Sequence, residues 1–134
     1  MKLPSTIFPA VVGILVAACP ALAHHSFAAE FDGDKVVKVT GTVTKFDWVN
    51  PHTWIYLDVK EDGGKVTSWA FEGGAPTLLY RQGWRKSDLK AGDEISVEGY
   101  RARDGSNTAS AAQVVLPGGK RLFAGSSRGD GKNK

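Results

Sequence analysis

Sulfur is almost missing from this sequence. The single cysteine, Cys19, falls inside an N-terminal stretch that reads as an export signal, and the single methionine is Met1. Downstream of Cys19 there is therefore no disulfide, no thiolate or thioether metal ligand and no cysteine nucleophile. Long apolar runs are also absent. None approaches the ~20 residues that a membrane-spanning helix needs. A dominant charge is missing too: the formal net charge is +3 over 134 residues, and much of the basic excess lies from Lys120 onward. The central part is close to neutral, which excludes the basic field of a nucleic-acid binder. There is no phosphate loop, no Cys/His zinc pattern and no nucleophile elbow. Ser26, Asp47 and His52 can be written as a triad, but nothing around them supports one. An enzyme of some type is the last of three functional readings, since no catalytic constellation is displayed.

What is present begins with the leader. Lys2 supplies a positive end, Ile7 to Ala18 an apolar stretch, and Ala21-Leu22-Ala23 an A-x-A cleavage site. These are the parts of a secretory signal peptide. Cleavage after Ala23 makes His24 the first mature residue and places the protein in the periplasm or outside the cell, with no stable membrane span left. Val16-Ala17-Ala18-Cys19 offers an alternative, a lipoprotein anchored through Cys19; Pro20 and the A-x-A site beyond it argue against that. The chain divides into a signal peptide (1–23), an N-terminal segment (24–34), one β-domain (35–124) and a disordered basic tail (125–134).

Within the domain, β-branched and aromatic residues alternate with polar ones at period 2. Val36 to Trp48 reads as a long strand with Val37, Val39, Gly41 and Val43 inward, Gly41 marking a bend or bulge. Thr53 to Lys60 is the second strand, with Ile55, Leu57 and Val59 inward and Trp54, Tyr56 and Asp58 outward. Glu61-Asp62-Gly63-Gly64 is a hairpin connection. In the third strand, Lys65 to Phe71, large residues take one side and small ones the other, so its inward face is ambiguous. Pro76 to Gln82 reads as a short helix, with Pro76 in the first turn, Gly83 as a left-handed stop and Trp84 folding back on Leu79. Leu78, Leu79 and Trp84 are the expected docking residues. Strands follow at Glu94 to Arg101, with Ile95, Val97 and Gly99 inward, and at Thr108 to Leu116. Arg121 to Phe123 adds a short last one. The order βββαββ predicts an all-β domain with one short helix, a small five-stranded Greek-key barrel like the OB-fold. A small open β-sandwich is the alternative.

Several spaced pieces also resemble a known family: His24-His25-Ser26-Phe27 with Phe31-Asp32, Val49-Asn50-Pro51-His52, Trp69-Ala70-Phe71-Glu72-Gly73-Gly74, Gly83-Trp84-Arg85, and Gly92-Asp93 through Val97-Glu98-Gly99-Tyr100. Together they are similar to a family of small exported bacterial proteins classed only as a domain of unknown function. The resemblance runs from His24 to about Ala124. It implies export and a compact β-rich domain, and it brings no activity, cofactor or catalytic residue.

Two groups of residues are candidates for function. Trp48, Asn50, His52, Trp54, Tyr56 and Trp69 form an aromatic set around the Asn50-Pro51-His52 turn. Rings on strands two and three of an OB-fold stack on sugars or bases, so a small molecule, a glycan or a periplasmic protein is the expected partner, and nucleic acid is not. The competing reading is that some of these rings fill the core and that His52 satisfies a backbone group in its turn. The second group is His24, His25 and His52, all the histidines of the chain. A mature N-terminal His24 chelates through its amine and ring nitrogen, and further imidazoles would complete a nitrogen site suited to Cu(II). Glu72, just before Gly73-Gly74, is a candidate for burial at a bend.

Overall fold

A computed structural model of the protein describes residues 27–126. The cleavage site, the lipoprotein box, His24, His25, Ser26 and residues 127–134 lie outside the described residues. Residues 27–30 are helical. Six strands follow: β1 (Phe31–Asp47), β2 (Trp54–Lys60), β3 (Val66–Glu72), β4 (Glu94–Ala102), β5 (Thr108–Val115) and β6 (Arg121–Phe123). A six-residue helix, α1 (Pro76–Arg81), and a 3₁₀ turn (Lys86–Asp88) lie between β3 and β4. Among the described residues no helix is long and apolar enough to cross a membrane.

The valine- and threonine-rich β1 is long enough to serve two partners. Its first part pairs antiparallel with β4, from Val36↔Tyr100 to Thr42↔Glu94, and its second part with β2, from Thr42↔Asp58 to Asp47↔Trp54. β2 pairs with β3, β4 with β5 and β5 with β6, all antiparallel. A short parallel contact, Ala70–Glu72 against Thr108–Ser110, then joins β3 to β5. The pairings β1–β2–β3–β5–β4–β1 run round a ring, the Greek-key connectivity expected from the order of elements.

Alternation sorts the side chains. Ile55, Leu57, Trp69, Phe71, Ile95 and Val97 are all buried in one core. The ambiguity in β3 resolves with the large residues inward: Trp69 pairs with Leu57 and Phe71 with Ile55. Gly41 has a different role from the one expected. The bulge in β1 comes at Thr44, between Val43 and Lys45, whereas Gly41 lies so close to β2 that a Cβ there would stand 2.6 Å from the Asp58 carbonyl oxygen. The bulge inverts the alternation, so Val43 and Phe46 both turn toward the core.

α1 closes one end. Its stop has the full Schellman pattern: Trp84 N–H donates to Leu79 O (3.0 Å) and Gly83 N–H to Tyr80 O (3.2 Å), with Gly83 at φ +100°. Trp84 is completely buried, and its indole N–H donates to Phe123 O at 2.8 Å. Leu78 departs from expectation, being 42% exposed. Six residues make fewer than two turns, and the core takes Leu79 and Trp84, leaving Leu78 on the rim beside Gly74.

β1 starts at Phe31, five residues before Val36, because the register slips between them and the polar Asp32-Gly33-Asp34-Lys35 shows no alternation. Phe27 and Phe31 pack with Tyr100 and Ala102 in a second small cluster. At the other end, Gly125 lies against Gly74, and Ser126 Oγ is 3.1 Å from Ser110 Oγ.

Candidate functional site

The outer side of the ring between β1 and β5 is set by register. Cross-strand partners share a face, so one row runs Lys45–Tyr56–Ala70–Thr108 and the next Asp47–Trp54–Glu72–Ser110. Trp54 and Tyr56, two apart on β2, stack at 6.3 Å with an interplanar angle of 20°. Both are half-buried. Lys45 lies 5.8 Å over Tyr56 and pairs with Asp47 at 3.0 Å, a bond that raises the lysine's pKa.

Small residues create space beside these rings. Ala70 occupies the position between Tyr56 and Thr108, and Ser68 follows on the same face. The result is a hollow of about 610 Å³ lined by Thr44, Tyr56, Ser68, Asn107 and Thr108 among others. A second hollow, of about 730 Å³, lies on the other side of Thr108 and is walled by Trp54, Glu72, Glu30, Arg103 and Asp104. The two hollows share Thr108: the first lies against Tyr56 and is largely hydroxyl- and amide-lined, the second lies against Trp54 and is charged.

The turn between β1 and β2 delivers His52 to the charged end. Asn50–Pro51 is cis. Thr53, fully buried, continues the β2–β3 ladder: its N–H and Oγ1 donate to Gly74 O at 3.1 and 2.9 Å, and its carbonyl accepts from Gly73 N–H at 2.8 Å. This clamp holds His52 Nδ1 at 3.2 Å from Gly73 O and 3.4 Å from Glu72 Oε1. A carbonyl only accepts, so Nδ1 is the donor to Gly73 O. The Glu72 side chain is 17% exposed. Burial lifts its carboxyl above the usual carboxylate range, a charged His52 works against that, and Glu30 adds to it.

The aromatic set expected around the turn is thus divided. Trp54 and Tyr56 form the outer pair. Trp69 belongs to the core, 8% exposed and stacked on Phe71 at 5.8 Å, with the Arg101 guanidinium 5.3 Å from its centroid. Trp48 packs edge-on against Phe46 and faces Tyr80 and Arg85 at the α1 end. Asn50 is exposed in the turn. His52 has Glu72, not Asp47, as its carboxylate. Among the described residues no group of three or more histidines, cysteines or carboxylates is arranged around a metal. Ala70, Thr108, Glu30 and Arg103 escaped sequence reading. The large/small alternation of β3 carried a signal for Ala70, but the other three reach the groove through register and chain return.

A model of a family of unknown function, DUF6152, matches residues 11–111. The chain belongs to this family. The DUF6152 match takes in the Asn50-Pro51-His52 turn, both aromatic pairs and the whole His52–Glu72 corner. It starts before His24 and stops before β5 ends, so its limits differ from those of the motif resemblance at both ends. No curated protein matches the chain. DUF6152 membership names relatives and leaves the ligand to be argued from the groove.

Proposed function

We propose that this is an exported, non-catalytic binding protein whose outer groove takes a neutral, hydroxyl-rich ligand of the oligosaccharide class. The observation that carries the reading is the Trp54–Tyr56 stack, a flat apolar platform on the outer side of β2. Sugar rings present one apolar face and an edge of hydroxyls. The platform suits the first, and Ser68, Asn107, Thr108 and Thr44 supply hydrogen-bonding groups for the second. The lining includes Lys45 and Arg103 but also Glu30, Glu72 and Asp104. That mixed balance supports a neutral ligand over a polyanion. Export rests on Lys2, the apolar stretch Ile7 to Ala18 and Ala21-Leu22-Ala23.

The test is calorimetric titration with a panel of neutral hexose and N-acetylhexosamine oligomers. At least one should bind, and Trp54→Ala or Tyr56→Ala should weaken it at least ~5-fold, the lower end of what one stacking ring supplies. Binding that survives both substitutions, or silence across the panel from the folded protein, would defeat the proposal.

A further inference from the structure

The end of the ring closed by α1 presents a surface that shares no lining residue with the hollows beside Trp54 and Tyr56. Trp48 and Tyr80 stand at its centre. They wall one hollow of about 650 Å³ with Arg85, Lys86 and Ser87, and another of about 310 Å³ with Pro76, Thr77 and Arg81. Among the described residues six large apolar side chains are exposed. Three of them belong here: Leu78 (42%) and Tyr80 (57%) on α1, and Val49 (51%) next to Trp48 in the chain. Exposed apolar groups scatter singly over an ordinary surface, whereas a gathering of them marks a face that meets a partner.

The charge at this end is mostly positive. From Pro76 to Asp88 the chain carries Arg81, Arg85 and Lys86 against one carboxylate, Asp88. That carboxylate is taken up by the Arg85 backbone N–H at 2.7 Å. All three cations are exposed, and none forms an ion pair among the described residues, whereas Lys35, Lys45 and Lys90 each have an aspartate. Arg85 is set in place. Its Nη1 donates to Trp84 O at 2.7 Å and to Tyr80 O at 3.2 Å, and its guanidinium lies 3.9 Å over the Tyr80 ring. Those bonds occupy one nitrogen and leave Nη2 and Nε to face an anion.

We propose that this end docks on a bilayer rich in anionic phospholipid, with Trp48, Leu78 and Tyr80 at the level of the headgroups and Arg81, Arg85 and Lys86 on the lipid phosphates. Tryptophan and tyrosine favour that level because their rings are amphipathic. Long cationic side chains reach phosphate while their stems stay against apolar surface, and each one near an anionic membrane adds to the attraction. The combination selects a membrane over an acidic polypeptide. Carboxylates would use the three cations and leave Val49, Leu78 and Tyr80 in water. The contact is peripheral, since no helix among the described residues is long and apolar enough to cross.

The experiment uses protein beginning at His24 and running to Lys134, because the apolar stretch Ile7 to Ala18 would bind vesicles by itself and the closed ring lies within residues 27–126. Sedimentation with phosphatidylglycerol-rich vesicles should recover the protein, sedimentation with pure phosphatidylcholine should not, and added salt should weaken the binding. Arg81→Gln combined with Lys86→Gln breaks no hydrogen bond among the described residues. It should weaken binding roughly 20- to 30-fold, about fivefold for each charge. Lys60→Gln combined with Lys65→Gln removes the same charge elsewhere and should leave binding nearly unchanged. Tyr80→Ala should weaken it about fivefold through lost apolar contact. Brominated lipid should quench the fluorescence of the parent, and much less that of Trp48→Phe. Urea midpoints check that each variant is folded. The proposal is overturned if the Arg81/Lys86 pair binds like the parent, if both pairs lose binding alike, if phosphatidylcholine serves as well, if Tyr80→Ala or Trp48→Phe changes nothing, or if soluble polyglutamate displaces the vesicles, which would make the partner an acidic protein. Oligosaccharide titration without vesicles reads the groove separately, so either site can fail alone.

Discussion

Two aromatic pairs on neighbouring strands share one geometry and differ in everything else. Trp54 and Tyr56 on β2 stack with a 20° interplanar angle, and so do Trp69 and Phe71 on β3. Both pairs are two residues apart, as a pleated strand requires. The β3 pair faces inward, opposite Leu57 and Ile55. The β2 pair faces outward, with Ala70 opposite Tyr56 and Glu72 opposite Trp54. The same chemistry thus serves cohesion on one side of the sheet and, in the proposed function, recognition on the other. What decides is the partner across the ladder, a large aliphatic or a small or charged residue.

The comparison can be broken most directly at its inner half. Phe71→Ala should cost about 3–5 kcal/mol in urea denaturation, because a fully buried ring leaves a cavity that its neighbours fill only in part. Trp84→Phe tests the buried ring that follows α1, in the same core as that pair. It keeps most of the apolar volume but leaves the Phe123 carbonyl without its indole donor, for a loss of about 1–3 kcal/mol. Trp54→Ala, at the outer half, should cost no more than about 1 kcal/mol, the range of a cross-strand pair, while abolishing ligand binding. If it destabilises as much as Phe71→Ala, the two pairs are equivalent and the recognition reading fails. Ala70→Leu is sharper still. It fills the hollow beside Tyr56, so stability should hold within about 0.5 kcal/mol while binding disappears.

Glu72 supplies the smallest effect and a pH signature. Burial raises its pKa in the folded state, with His52 opposing and Glu30 adding. A carboxyl raised on folding contributes stability that is complete below its unfolded value and lost as pH rises through its folded value. Glu72→Gln removes that loss. Its stability relative to the parent should therefore improve as the pH climbs out of the carboxylate range, above about pH 4, and a pH series of unfolding midpoints measures it. A difference that shrinks with rising pH would mean that the pairing with His52 outweighs burial.

Much of this arrangement was legible in the residues. Period-2 alternation located the strands, separated Ile55, Leu57 and Val59 from Trp54, Tyr56 and Asp58, and the Gly83-Trp84 pair announced how α1 stops. Alternation is blind to register and to bulges, however. It could not say that Thr44 inverts the parity of β1, that Trp69 turns inward, or that Thr108 closes the row begun by Lys45. Trp48 looked like a neighbour of Trp54 because only six positions separate them. The reversal at Asn50-Pro51 sends one toward the helix and the other to the outer face. The His52–Glu72 pairing joins residues on two strand ends and is a product of topology alone.

The last few described residues do work out of proportion to their number. Gly74 N–H donates to Ala124 O, Ala124 N–H donates to Ala112 O, and the Phe123 carbonyl receives the indole of Trp84. β5 provides the parallel contact that joins the ring, and β6 lies outside it. Closure therefore waits for the final part of the chain to be made. Until residues 108–124 emerge, the polypeptide has sheets with open edges and a helix with nothing to cap. Under the proposed export that timing is an advantage, since a translocation channel threads an open polypeptide and rejects a closed one.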